Sequence, residues 1–294
     1  MYSIELIDDK SEIISYSVPN MPVRSCLSNQ EDYPLLAVVN HWHNDFEFSY
    51  IKKGSMSYCV DGERCEITEG QMIFINSARM HYGFWDKKCE CEFICSIFHP
   101  SLLDNNLARK YLERITNEKA PSFIILHPEV FREREIIELV LKLYENVIKS
   151  DDGFEFGIMS CIYEISQQLI KIIKAIPDAV QTDGRHLEAM HRMVGFIQQK
   201  YTEKIMLADI ASAGFVSRSV CCEIFRKHLN KSPFEYLTEY RIFKSTELLS
   251  ENNLTVTEIA SLCGFGGASY FTETFRKTMS CTPTEYRQKK NTIK

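Results

Sequence analysis

Apolar residues keep three different rhythms along this chain. From about Leu35 to Phe98 they come in short runs: Leu36-Ala37-Val38-Val39, Phe46 to Ile51, Met56 to Val60, Cys65-Glu66-Ile67, Met72 to Ile75 and Phe93 to Phe98. Asp61-Gly62 between two alternating runs predicts a two-residue hairpin turn, and Gly54 and Glu69-Gly70 mark other corners. Short strands at this spacing predict an all-β barrel or sandwich. From Pro128 to Lys149 and from Phe154 to Lys174 the spacing becomes helical. Ile136, Ile137, Val140, Leu141, Tyr144 and Val147 form one stripe; Ile158, Ile162, Ile165, Leu169 and Ile172 form another. Two amphipathic helices follow, which either cover the barrel or form a dimer seam. A polar break, Pro177-Asp178 to Asp183-Gly184, closes this region.

In the last third the helical rhythm occurs twice. Shifted by fifty residues, Phe225-Arg226-Lys227 falls on Phe275-Arg276-Lys277, Gly214-Phe215 on Gly264-Phe265, and Ser232-Pro233-Phe234-Glu235-Tyr236 on Thr282-Pro283-Thr284-Glu285-Tyr286. With a one-residue slip, Ile210-Ala211-Ser212 falls on Ile259-Ala260-Ser261. Each copy predicts a short helix ended by a glycine at C′ and then a second helix, which is a helix-turn-helix. Ser217 caps the second helix of the first copy, whose inner face is Val220, Cys221, Ile224 and Phe225. Its outer face holds Arg218, Ser219, Cys222, Glu223 and Arg226. In the second copy Tyr270, Phe271 and Phe275 face in, and Ala268, Ser269, Thr272, Glu273 and Arg276 face out. Ser232-Pro233-x-Glu235 and Thr282-Pro283-x-Glu285 are capping boxes. A helix from about Pro233 to Leu249 links the copies, with Leu237, Tyr240, Phe243, Leu248 and Leu249 available to pack between them.

The stretch from Ile205 to Arg287 strongly resembles the DNA-binding domain of AraC-type (AraC/XylS) regulators. The matching residues are Leu207, Ile210-Ala211, Ser217, Arg241 and Leu248-Leu249, then Ile259-Ala260, Gly264-Phe265, Ser269-Tyr270-Phe271, Phe275-Arg276-Lys277 and Thr282-Pro283-x-Glu285-Tyr286-Arg287. The resemblance implies two recognition helices in successive major grooves, ~34 Å apart. Arg218 and Ser219 are then the base readers of the first unit, and Ser269 and Thr272 those of the second. Arg226, Arg276 and Lys277 suit phosphates, which position without specifying. Glu223 and Glu273 stand where a basic residue is more usual. Each either accepts from cytosine N4 or lies on a solvated face. Gly266-Gly267 replaces the expected polar cap of the second recognition helix.

Charge supports this division of labour. The 294 residues carry a net charge of −6. From Leu187 onward there are 15 Lys and Arg against 11 Asp and Glu, a net of +4, so the acidic excess lies in the first part of the chain. Met1-Tyr2-Ser3-Ile4-Glu5 lacks the features of a secretory signal, and Ile158 to Ile176 is too polar for a membrane span, so a cytoplasmic protein is expected. Eleven cysteines without a Cys-x-x-Cys pair read as buried thiols, with Cys89, Cys91 and Cys95 close enough for redox sensing.

Within the strand-rich part, His41-x-His43-x-x-x-Glu47, Gly54 and His81 resemble the first cupin motif closely and the second only partly. Asn76-Ser77-Ala78 stands where cupins favour Pro-x-Gly. The resemblance implies a jelly-roll barrel with His41, His43, Glu47 and His81 lining its interior. Three imidazoles and a carboxylate suit a divalent metal: Zn, Fe, Mn or Ni. The alternatives are a metal-free ligand pocket and a filled barrel. Arg24, Tyr50, Tyr82 and Trp85 suit a sugar-like polar effector, or else belong to an ordinary core.

The expected fold is therefore α+β and multidomain. A cupin-like β-barrel spans 1–125, a helical segment 126–176, a linker 177–186 and an all-α double helix-turn-helix domain 187–294. The expected function is effector-controlled, sequence-specific DNA binding. Its partners are double-stranded DNA, a small molecule and a second copy of the chain, with no membrane. The rival is a metal-dependent cupin enzyme carrying a DNA-binding tail. No Ser-His-Asp order, phosphate-binding glycine loop or nucleotide motif supports catalysis.

Overall fold

The computed structural model describes residues 5–6, 12–33, 40–85, 90–104, 108–117, 120–176, 184–251 and 254–293. The chain divides into two compact units, 1–184 and 185–294. The N-terminal half is built on β-sheets and the C-terminal part is helical, as the sequence pattern predicts. The expected strand Leu36 to Val39 and the polar break at 177–183 lie outside the described residues.

In the first unit β1 (Glu5–Leu6) pairs with β2 (Glu12–Ile13). The remaining strands are β3 (Val23–Asn29), β4 (Phe46–Lys53), β5 (Ser55–Val60), β6 (Glu63–Thr68), β7 (Met72–Ile75), β8 (His81–Phe84), β9 (Glu92–Phe98) and β10 (Phe123–Leu126). They form two antiparallel sheets, β10-β7-β4-β9-β3 and β6-β5-β8. At the β5–β6 hairpin Asp61 (φ 49°) and Gly62 (φ 88°) are both left-handed, and Val60 pairs with Glu63. That is the type I′ geometry Asp-Gly favours.

Strand periodicity sorts the cores. On β4, Phe46 and Phe48 point outward from the barrel into a cluster with Phe74, Phe98 and Leu126, while Ile51 joins a second cluster with Tyr58, Val60, Ile67, Ile73 and Phe93. The second cluster draws on both sheets and so lies between them. The first is closed by helices. After α1 (Arg109–Thr116), helices α2 (Phe131–Lys149) and α3 (Phe154–Ala175) lay Ile136, Ile137, Val140, Leu143, Val147, Ile158, Cys161, Ile162, Ile165 and Leu169 onto the outer face of the five-stranded sheet. Covering the sheet is thus the role of these stripes, each buried aliphatic side chain contributing roughly 1.5–3 kcal/mol. Leu143 takes the central place expected of Leu141 and Tyr144, which are only half-buried.

The second unit contains α4 (Gly184–Lys200), α5 (Leu207–Ala213), α6 (Arg218–Leu229), α7 (Pro233–Glu251), α8 (Val256–Leu262), α9 (Ala268–Met279) and α10 (Pro283–Ile293). The helix-turn-helix pairs are α5–α6 and α8–α9, with α7 between them in sequence. The repeat register needs one correction. Gly214 is right-handed (φ −83°), and the left-handed residue after α5 is Phe215 (φ 54°). After α8 it is Gly264 (φ 75°). Val216 N–H donates to Ala211 O at 3.0 Å and Phe265 N–H to Ala260 O at 2.9 Å, the same helix-ending bond in both copies. Phe215 is therefore the partner of Gly264. Two residues follow it before α6 and three follow Gly264 before α9, which is where the one-residue slip resides. Gly214 is small for another reason: a Cβ there would meet the Met193 side chain at 2.7 Å.

Candidate DNA-reading surface and barrel site

Burial of Cys221, Ile224, Phe225 and Leu229 fixes the rotation of α6, and its opposite face is open. Arg218, Ser219, Cys222, Glu223 and Arg226 are all exposed. Ser217 caps the helix by accepting from Val220 N–H at 3.3 Å. On α9, Phe271 and Phe275 are buried, with Phe275 edge-on to Tyr286 at 5.7 Å. Ser269, Glu273, Arg276 and Lys277 are exposed, and Ala268 and Thr272 half-buried. Tyr270 does not face in. It is 58% exposed, because the helix turns about 100° per residue and Phe271 already occupies the core direction. Lys277 pairs with Glu273 at 3.0 Å and holds that carboxyl below the usual carboxylate range. A lysine expected at phosphates is thus partly neutralised by its neighbour.

Gly267 stands at the N-cap of α9 without a side-chain cap, its φ of 173° ordinary extended backbone. A Cβ at Gly266 or Gly267 would meet nothing within 4 Å, so the chain's own sterics require neither glycine. The frame behind the helices is tied by arginines. Arg241 donates to Tyr201 O and Glu203 O, both at 2.7 Å, and Arg287 to Leu254 O at 2.6 Å.

In the first unit, His41, His43, Glu47 and His81 come together, all buried, with one ligand atom from each lying within 4.8 Å of the others. Backbone hydrogen bonds between His41 and His81, at 3.1 and 2.9 Å, join the 41–43 segment to β8. Glu47 enters from β4 on the face opposite Phe46 and Phe48. Its Oε2 lies 3.4 Å from His43 Nε2 and 3.1 Å from His81 Nε2, while Oε1 accepts from Ser49 Oγ at 3.1 Å. Burial raises the Glu47 carboxyl; the charge of His81 and hydrogen bonds from His43 and His81 override it and hold the group well below its usual range.

The other nitrogens decide whether a metal fits. His43 Nδ1 lies 3.2 Å from Asp45 O, and His81 Nδ1 lies 2.8 Å from Arg79 O. A carbonyl oxygen only accepts, so both Nδ1 atoms carry hydrogen and both Nε2 atoms turn toward the carboxylate. A lone pair facing a carboxylate oxygen is repulsive; a proton on the imidazole or a cation between the two relieves it. Tetrahedral ligands on an ion with bonds of ~2.1 Å lie about 3.4 Å apart. That is close to the 3.4 and 3.1 Å from Glu47 to His43 and His81, and the whole set, spread over 4.8 Å, would draw in around an ion. Imidazoles that donate their second N–H to a carbonyl are also the usual metal-binding arrangement. The four residues fit a divalent ion.

The same cavity is lined by Arg24, Cys26, Tyr33, Tyr58, Gly83, Phe93, Cys95 and Ile97 and has a volume of about 30 Å³. That is room for an ion or a water or two, whereas sites for organic molecules run to roughly 300–1,000 Å³. Arg24, His41, Glu47 and His81 are cavity-lining as expected. Tyr50, Tyr82 and Trp85 are not among the lining residues. Tyr50 has the parity of Phe46 and Phe48 and packs against the helix-side core. Tyr82 alternates with His81, and its ring lies tilted against that of Phe84 at 5.6 Å. Trp85 lies one layer out, 5.3 Å from the Tyr33 ring. Cys26, which faces Cys95 across β3 and β9, escaped the sequence reading because β3 has no apolar run to announce it; Cys95, grouped there with Cys89 and Cys91, lines this cavity.

Comparison with known proteins accounts for both units. Residues 210–289 match the family model of a helix-turn-helix domain, and residues 30–165 that of an AraC-like ligand binding domain. The chain is 30% identical over 255 residues to the uncharacterized HTH-type transcriptional regulator YdeC of Bacillus subtilis (strain 168), covering 84% of this chain and 85% of the relative. This chain is an AraC-family transcriptional regulator. Similarity extends to the lactose operon transcription activator of Staphylococcus xylosus, at 25% identity over 81% of each chain. ToxT from Vibrio cholerae O395 shares the fold of this AraC-family chain, with a TM-score of 0.50, 16% identity and coverage of 90% of this chain and 98% of ToxT. An AraC-family regulator binds DNA through its helix-turn-helix units and carries an N-terminal ligand-binding domain, and both parts are present here. Among the described residues no helix is long and apolar enough to cross a membrane.

Proposed function

We propose that this regulator reads a specific DNA sequence with the open faces of α6 and α9, under control of a small ligand held between the sheets of the first unit. The observation that carries this is the matched disposition of the two helices: in each, the core takes one side and leaves hydroxyl, arginine and glutamate side chains on the other. Arg218 and Ser219, with Ser269 and Thr272, are the base readers. Arg226 and Arg276, both exposed, are the phosphate contacts. The barrel acts by binding, without turnover. The regulator works in the cytoplasm as a homodimer, a reading supported by Phe156 and Tyr163, which remain 84% and 45% exposed on α3.

The test is selection of bound sequences from a random duplex pool by the full-length protein. Enrichment of a motif spanning two adjacent major grooves is expected, with twofold-related copies if the dimer binds. Folded protein that enriches no motif, with or without added small polar ligands and divalent ions, overturns the proposal. Sedimentation at micromolar concentration gives the oligomeric state independently.

A further inference from the structure

We infer that the controlling ligand of this regulator is itself a divalent transition-metal ion, bound by His41, His43, Glu47 and His81. The inference rests on the proposal that a ligand in the barrel controls DNA binding, and names the class of that ligand.

Three observations meet at this site. The cavity of about 30 Å³ suits a single ion and is several times too small for an organic effector. The donor set is three imidazoles and one carboxylate, which favours Zn²⁺, Fe²⁺, Mn²⁺, Co²⁺ or Ni²⁺ over the all-oxygen preferences of Ca²⁺ and Mg²⁺. The donors are also held in place from outside. Arg79, whose carbonyl orients His81, is buried, lies 3.5 Å from Asp61 and donates to Ala120 O at 3.3 Å; Asp61 in turn accepts from Ser122 Oγ at 2.8 Å. Ala78 N–H donates to His43 O at 2.8 Å from a left-handed backbone (φ 59°), a conformation costly to any residue with a Cβ. Strain is retained here in a turn tied to the backbone of His43.

Placement gives the ion leverage. Glu47 belongs to the five-stranded sheet and His81 to the three-stranded one, so an ion joins the two sheets. Glu47 lies between Phe46 and Phe48, whose rings are packed under α2 and α3. Drawing the carboxylate onto an ion therefore acts on the strand that supports the helices. Control of DNA binding then requires the ion to bind one arrangement of that strand more tightly than another, which is what a ligand needs in order to shift a population.

The experiment uses the full-length chain stripped with a chelator and reloaded with Zn²⁺ or Co²⁺. One ion per chain is expected, with the intense visible absorption of four-coordinate Co²⁺. Glu47→Gln, which keeps the side chain's shape, and His81→Ala should each weaken binding 100-fold or more. Affinity for the selected DNA should differ at least tenfold between stripped and loaded protein. A chain that melts cooperatively yet binds no ion overturns the inference in favour of an imidazolium–carboxylate pair. Undiminished binding by both variants places the ion elsewhere and also overturns it. Stoichiometric binding with unchanged DNA affinity and motif makes the ion structural and removes its controlling role. Failure to bind DNA in either state overturns the regulator proposal together with the controlling role, and is recognised because ion stoichiometry is measured without DNA.

Discussion

On β4 a shift of one position moves a side chain from the histidine–glutamate cluster to the hydrophobic layer under the helices. Glu47 lines the cavity and accepts a hydrogen bond from Ser49 on the same face; Phe46, Phe48 and Tyr50 belong to the core that α2 and α3 close. On α9 the corresponding lesson concerns charge. Lys277 is expected to touch phosphate, yet it is engaged by Glu273 four residues earlier. Glu273→Gln should free it, raising affinity for all sequences a few-fold at low salt and steepening the salt dependence by about one unit. Binding isotherms at several salt concentrations give both quantities; an unchanged slope would mean Lys277 is not at the DNA. Arg218→Ala should alter base preference at the positions it reads, costing about 1–3 kcal/mol there, whereas Lys277→Ala should weaken every site alike. Uniform losses from both across a site library would refute this division of roles.

Two glycines that coincide in the repeat alignment do different work at the level of helix and turn. Gly264 ends α8 in the left-handed region, and a Cβ there would sit 2.5 Å from Tyr201 O and 2.8 Å from Thr202 O. Gly214 is right-handed and faces only the flexible Met193 side chain closely, with Ala189 O at 3.3 Å. Gly264→Ala should therefore cost roughly 2–4 kcal/mol, from left-handed strain plus backbone overpacking, and Gly214→Ala clearly less. Urea unfolding of the two variants checks the order, and equal losses would contradict the assigned turn geometry. Helix starts supply a pH dependence. Hydrogen bonds from the Ser232 backbone and hydroxyl hold Glu235 below its usual range, and those from the Thr255 hydroxyl and backbone do the same for Glu258. A carboxyl depressed in the folded state stabilises above its unfolded pKa of about 4.3, and that contribution is lost as pH falls. Stability of the helical unit should decline below about pH 4.3, and Glu235→Gln with Glu258→Gln should flatten that decline. An unaltered acid limb would show that these caps are not formed.

At the level of the whole molecule, each unit has its own core and its own chemistry. Residues 185–294, whose described elements are all helices, bury Ile210, Cys221, Ile224, Phe225, Ile259, Phe271 and Phe275. Expressed alone, this segment should show a helical spectrum, melt cooperatively and keep the motif of the full chain, while losing any response to ligand. Loss of helical structure in the fragment would show that the unit depends on the rest of the chain. The charge pattern agrees: a chain of net −6 contacts DNA because the basic excess is confined to the part carrying α6 and α9.

Much of this was legible in the residues themselves. Alternation marked five of the strands, the helical stripes marked α2 and α3, and a fifty-residue repeat with its capping boxes marked both helix-turn-helix units. These signals are local: periodicity and capping chemistry reach only a few residues along the chain. The motif likewise named His41, His43, Glu47 and His81, since their sequence spacing is itself the resemblance. Tertiary structure decided what depends on partners far away in sequence. β3 became a strand by pairing with β9, although its own side chains are largely polar. Tyr50 and Tyr82 were turned from the cavity by the register of their sheets, Phe215 took the place of a glycine in the first turn, and the barrel closed to about 30 Å³. Volume, register and the hydrogen bonds that fix an imidazole's orientation arise only when separate segments meet, and no stretch of sequence carries them alone.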